Sequence, residues 1–283
     1  MSKVMCYDNE TIKWNHNGVN YCLHIKQEND ACFDPRPEEH DSIMACFGDY
    51  RNYGDRKDED TEEDFWNNLV WNHCDDDEIF NSLINGTLPT TRAKKDEDDT
   101  YHISSLTYDG EWIPFCWGLN ENEVITYAKD DFSIADCMKL MESHAVWLPL
   151  YIYDHSGVSM SCGIRTYPCN DRWDSSQCGW IITVTSDKEQ ALKQMIAEVN
   201  EYDNYLQGYV YWYTLYREGN GTKIYDEVTD GWTEIDSCGG FIGDDIIENG
   251  MTYNVGNGIE EAIKNENYTT GTAKKTVVVK WEF

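Results

Sequence analysis

Two apolar runs with different periods frame the most patterned part of the chain, residues 146–186. In the first, Val146, Leu148, Leu150 and Ile152 alternate with Trp147, Tyr151 and Tyr153, the two-residue period of a strand with one buried face. Pro149 interrupts this run, and a residue that cannot donate to a ladder predicts an edge strand or a bulge. The second run, Trp180–Thr185, is β-branched and continuous, which predicts a strand buried on both faces with Trp180 as a core aromatic.

Before this segment, Val19–Ile25 has strand character and Asp34-Pro35-Arg36-Pro37 predicts a loop. Thr61-Glu62-Glu63-Asp64 has the form of a capping box ahead of Phe65, Trp66, Leu69 and Val70, which share one helical face. Asp75, Asp76 and Asp77 open a second helix with Ile79, Phe80, Leu83 and Ile84 as its stripe and Asn85-Gly86 as its stop. The two form an acidic helical hairpin. Residues 86–100, with turn residues and opposed charge blocks, predict a linker, and residues 101–127 predict two strands around an Asp109-Gly110 turn. Ile134, Cys137, Met138 and Met141 mark another helix.

After the central segment, Ser186-Asp187-Lys188-Glu189 caps a long helix lined by Leu192, Met195, Ile196, Val199 and Leu206. A strand over 209–216, a Gly-rich region over 219–258, a short helix over 259–264 and a terminal strand over 274–283 complete the chain. These patterns predict an α+β fold, mostly antiparallel sheet with packed helices in the C-terminal half and the acidic hairpin in the N-terminal half. The expected organisation is an acidic, target-contacting arm over 1–99 and a self-associating α+β domain over 100–283.

Charge narrows the classes of function. The 283 residues carry 53 acidic and 22 basic side chains, a net charge of −31, which disfavours a grip on a nucleic-acid backbone and predicts a basic partner or an imitation of DNA. The first 100 residues hold 24 acidic against 10 basic side chains. Dense carboxylates at the helix starts make Asp58, Glu59, Asp60, Glu62, Glu63, Asp75, Asp76, Asp77 and Glu78 the candidate partner-binding residues. The run Asp96-Glu97-Asp98-Asp99 reads as a solvated loop.

Eleven cysteines without a C-x-x-C pair, no apolar signal core and no run of membrane-spanning length predict a soluble cytoplasmic protein with buried free thiols. Catalytic suspects are Asp154, His155, Ser156 and Ser161, but adjacent strand positions diverge and no G-x-S-x-G elbow is present. A zinc set of His155 with Cys162, Cys169 and Cys178 has the right ligand types at the spacing of no common module. Asp171, Arg172, Trp173, Asp174 and Ser175 read as a bracing loop with Trp173 packed beneath the strands. No cofactor and no catalytic residue is assigned.

The segments Trp147–Ser161 (WLPLYIYDHSGVSMS) and Arg172–Ile181 (RWDSSQCGWI), with an echo at Glu198–Gly208 (EVNEYDNYLQG), resemble a family of anti-defence proteins carried by phages and mobile elements, among them the phage inhibitors of the Gabija bacterial defence system. The resemblance covers about the last half of the chain. It implies a non-enzymatic homo-oligomer in the host bacterial cytoplasm that wraps a DNA-acting nuclease complex and blocks DNA binding or cleavage. The alternatives are a hydrolase using His155 with a nearby Ser or Cys, and an acidic phage structural protein.

Overall fold

A computed structural model describes residues 4–28, 34–36, 40–55, 61–168, 173–219 and 231–272. The expected terminal strand over 274–283 lies outside them, as do Asp58, Glu59, Asp60, Cys169, Asp171 and Arg172. The described residues form seven α-helices and twelve strands in antiparallel sheets, an α+β fold. They divide into two compact units, one drawn from Met1–Pro35, Ser156–Ser159 and Asn200–Phe283, the other from Arg36–His155 and Met160–Val199. Each unit takes residues from both sides of residue 99.

The first unit holds a five-stranded sheet. Strands β1 (Glu10–His16) and β2 (Val19–Gln27) form a hairpin closed by Asn17-Gly18, both at positive φ, as a two-residue turn between twisted strands requires. With β10 (Val210–Glu218), β11 (Trp232–Ile242) and β12 (Tyr268–Thr272) the order is β11-β10-β2-β1-β12. The short helices α6 (Met251–Val255) and α7 (Ile259–Lys264) supply Met251, Val255, Ile259 and Ile263 to a core shared with Ile12, Leu23, Ile25 and Tyr213.

The second unit contains two sheets. Strands β3 (Ile43–Cys46), β7 (Ala145–Asp154), β8 (Val158–Cys162) and β9 (Ser175–Val184) are ordered β3-β9-β7-β8, and β4 (Thr91–Lys95), β5 (Tyr101–Leu106) and β6 (Trp112–Leu119) form a meander. Helices α1 (Glu62–His73), α2 (Asp76–Ile84), α3 (Glu121–Lys129) and α4 (Ile134–Met141) belong here, so helices are not gathered in the C-terminal half. The long helix α5 (Lys188–Leu206) is capped by Asp187, whose carboxylate accepts from Gln190 N, and not by Ser186. It buries Ala191, Met195, Val199 and Tyr202, while Ile196, expected inside, is 45 % exposed.

Three further expectations change. Residues 91–95 are not linker. Thr91 and Ala93 alternate inward from β4, and the wholly buried Asp136 accepts from Thr90 N and from the hydroxyls of Thr90 and Thr91, which anchors the strand. The second expected strand of residues 101–127 ends at Leu119, because Asn120 and Glu123 make a reciprocal capping box that starts α3. Strand β7 is internal and not an edge, yet its pairing with β9 is bulged between Leu150 and Tyr151. Within an antiparallel strand the N–H and C=O of one residue face the same neighbour. The Pro149 carbonyl accepts from Gly163 N, just past β8, so the missing donor falls where that neighbour ends and the β9 ladder is spared.

Helix α1 packs on α4, and α2 on β4 and α3, so the two acidic helices turn a corner instead of forming a self-packed hairpin. The corner is made by Cys74 and Asp75, both extended. Trp66 is fully buried and meets Trp147 and Trp180 edge to face at 5.3 and 5.8 Å between ring centroids. Trp180, expected at the centre, is half-buried and donates its indole N–H to Glu62 Oε1 at 2.5 Å.

Two sites decide the stability of this unit. A Cβ on Gly179 would stand 1.9 Å from the Ala45 carbonyl oxygen of the paired β3. Gly179→Ala is therefore expected to destabilise by at least about 3 kcal/mol, the top of the usual range for overpacking. An unchanged urea midpoint would show that β3 does not pair there. Arg36 is buried and makes a bidentate pair with Asp55 (2.7 and 2.7 Å) and a third bond to buried Glu198 (3.1 Å). Burial works against its charge, but Asp55 and Glu198 outweigh it and raise its pKa. Arg36→Leu leaves the Glu198 charge uncompensated and is expected to cost about 3–5 kcal/mol. Adding Glu198→Gln should recover part of that loss in the same denaturation experiment, and no recovery would exclude the ion network as the cause.

Candidate functional site

The described acidic residues at the starts of α1 and α2 divide into two sets. Glu62 faces inward to Trp180, and Asp75 caps α2 by accepting from Glu78 N at 2.8 Å. Asp76 holds the buried Lys129 ammonium at 3.2 Å, and that ammonium lies 3.6 Å from the centre of the Trp71 ring. Glu78 is half-buried and accepts from the Ser143 hydroxyl while bonding His144 Nε2 at 2.8 Å. Glu63 and Asp77 are exposed, with Asp64 beside them. Carboxylates in a first helical turn also complement the free N–H groups there, so part of the expected partner surface holds its own helices.

The residues suspected of catalysis or zinc binding in 154–178 are dispersed. Asp154 ends β7, and His155 and Ser156 follow in the turn to β8, all three exposed. Ser161 donates its hydroxyl to the Thr166 carbonyl. Burial pushes the Cys162 thiol up to about 11. Cys178 faces Cys46, sulfur to sulfur at 3.8 Å, and this contact together with burial raises its pKa strongly. Trp173, expected beneath the strands, is 94 % exposed.

The corner between α1 and α2 carries a cluster that sequence reasoning missed. Cys74 ends α1, Glu78 lies in the first turn of α2, and His144 follows α4 at the entry to β7. Their ligating atoms all fall within 4.8 Å of one another, the one such trio of His, Cys and carboxylate among the described residues. Cys74 is buried, with its sulfur 3.9 Å from the Met141 thioether. Desolvation, then the charge of Glu78, raises its pKa to about 12, with Asp75 adding to the shift and Lys129 opposing it. The i, i+4 spacing of Cys74 and Glu78 hints at a shared face, but the helix break between them and the distance in sequence to His144 hide the trio.

A second feature lies on β6, the edge of the meander. Ile113, Phe115 and Trp117 are 52, 41 and 61 % exposed at alternate positions, with exposed Asp109 and Glu111 before them in the chain and Glu121 and Glu123 after. The β5–β6 register shifts twice, and such irregularities protect an edge from pairing with foreign strands. This edge is therefore suited to recognition by side chains. In the other unit, Trp14 stacks on Tyr21 at 5.4 Å and Lys13 lies over Trp232 in an open groove of about 500 Å3 shared with Asn15, Asn20 and Tyr268.

No family model, curated protein or solved structure matches this chain significantly.

Proposed function

We propose that this is a non-enzymatic phage anti-defence protein that binds a basic, DNA-contacting surface of a host nuclease complex and blocks DNA binding or cleavage, the Gabija system being the first candidate target. The observation that carries it is the β6 edge, where three large exposed apolar side chains are bracketed in the chain by carboxylates, on a protein of net charge −31. Apolar centres with charged rims are the usual anatomy of a protein interface, and the acidic rim selects a basic partner. Exposed Glu63 and Asp77 extend the same charge from α1 and α2. The motifs of residues 147–161 and 172–181 support the phage origin and the expectation of a homo-oligomer in the host cytoplasm. No helix among the described residues is long and apolar enough to cross a membrane.

The direct experiment is co-purification with host defence complexes, followed by mass measurement of what elutes and assay of nuclease activity. His155→Ala combined with Ser156→Ala should leave inhibition intact. Loss of inhibition with folding and binding unchanged would favour a hydrolase.

Two sets of substitutions separate the contributions at the interface. Replacing Ile113, Phe115 and Trp117 by Thr should leave the melting temperature nearly unchanged and weaken binding at least about tenfold, mainly through faster dissociation. Replacing Glu63, Asp77, Asp109 and Glu111 together by Gln or Asn should slow association and flatten its salt dependence, since single exposed charges contribute little. Identical kinetics at all salt concentrations would assign those carboxylates to solubility alone.

A further inference from the structure

We propose that Cys74, Glu78 and His144 form a binding site for a zinc-type divalent transition metal. Three different ligand types converge from three places in the fold, the end of α1, the first turn of α2 and the residue before β7. Tetrahedral coordination with bonds of about 2.0–2.3 Å places ligand atoms about 3.3–3.8 Å apart, so a trio already within 4.8 Å closes by small side-chain rotations. Glu78 Oε2 and His144 Nε2 share a hydrogen bond at 2.8 Å, and the ion would take the place of the shared proton, which passes to solvent or, through solvent, to Nδ1 of the same ring.

The surroundings favour a cation held in a fixed geometry. The Ser143 hydroxyl donates to Glu78 Oε1, and the Asp75 carboxylate holds the Glu78 amide. His144 is held through its backbone, its N–H donating to the Met141 carbonyl and its carbonyl accepting from Thr185 N. Asp75 and Glu78 add negative charge beside the Cys74 sulfur, while Lys129, whose charge acts the other way, is paired with Asp76. A thiol, an imidazole and one carboxylate suit zinc and its neighbours in the first transition row and not calcium or magnesium, which prefer oxygen. Coordination converts the Cys74 thiol to a thiolate and releases its proton to solvent. With three protein ligands the fourth position is left for water or for a group from a partner.

The test uses the full-length protein, stripped with EDTA and titrated with Co2+ alone and then Zn2+ alone. One equivalent of Co2+ should produce a sulfur-to-metal charge-transfer band in the near ultraviolet together with the visible bands of a tetrahedral ion. Zn2+ should bleach both and raise the melting temperature. Cys74→Ser should abolish the charge-transfer band. Because Cys74 is buried, His144→Ala, at a half-exposed position, serves as a second variant and should weaken Co2+ binding at least about tenfold, with the fold checked by circular dichroism. Absence of the band in the unsubstituted protein, or its survival in both variants, would overturn the proposal.

Discussion

The contact of Trp66 with Trp147 and Trp180 fixes α1 on the sheet of the second unit, and the candidate sites of that unit depend on it. Trp66 is fully buried, and its neighbour Phe65 adds a third ring contact at 6.2 Å. Edge-to-face pairs contribute about 0.5–1.5 kcal/mol beyond the burial of their area, so the cluster sets an angle as well as an affinity. One end of the helix so placed carries Glu62 and Glu63, and the other carries Cys74. The buried Trp66 indole N–H has no hydrogen-bond acceptor among the described residues, so the ring contacts carry its fit.

The same carboxylates serve two ends that pull apart. A protein that displays negative charge to a partner must also keep its helices from repelling one another, and the corner of α1 and α2 does so by turning Glu62, Asp76 and Glu78 toward Trp180, Lys129 and His144. Glu62 and Glu78 are thereby half-buried, while Glu63, Asp75, Asp76 and Asp77 stay exposed, as do the apolar residues Ile113, Phe115 and Trp117 of β6. In the proposed complex, steering by charge would set the rate of encounter and desolvation of aromatic side chains the lifetime.

Local signals were legible and long-range ones were not. The caps at Thr61 and Asp75 mark their helices, and Phe65, Trp66, Leu69 and Val70 are all buried as their spacing requires. Strand β4 escaped because a charged pentapeptide, TRAKK, reads as solvated until Thr91 and Ala93 are seen to alternate inward and Asp136 to receive the threonines. Strand β1 was missed although Asn17-Gly18 between alternating residues is a hairpin signal; polar residues diluted the pattern. The trio of Cys74, Glu78 and His144 has only the i, i+4 spacing of its first two members as a local signature, and His144 joins them through the packing of α1 on α4. Conversely, the dense polar segment at 154–178 draws attention through composition, while those of its side chains that are described scatter along turns and strands.

The strand order of the five-stranded sheet has a consequence for synthesis on the ribosome. Strand β2 is complete at Gln27, but its neighbour β10 begins only at Val210, and β12, beside β1, ends at Thr272. At ~5–20 residues per second the first hairpin emerges roughly 10–40 s before its first long-range neighbour. A two-stranded hairpin is marginal in water, so through that interval its apolar residues Ile12, Leu23 and Ile25 are exposed to whatever binds nascent chains. The strands of the second unit all fall between Ile43 and Val184, so its sheets can close while the first unit is still waiting for its C-terminal strands. A chain cut short after residue 200 would thus hold every strand of the second unit's sheets, while the hairpin of the first unit would have no sheet to join.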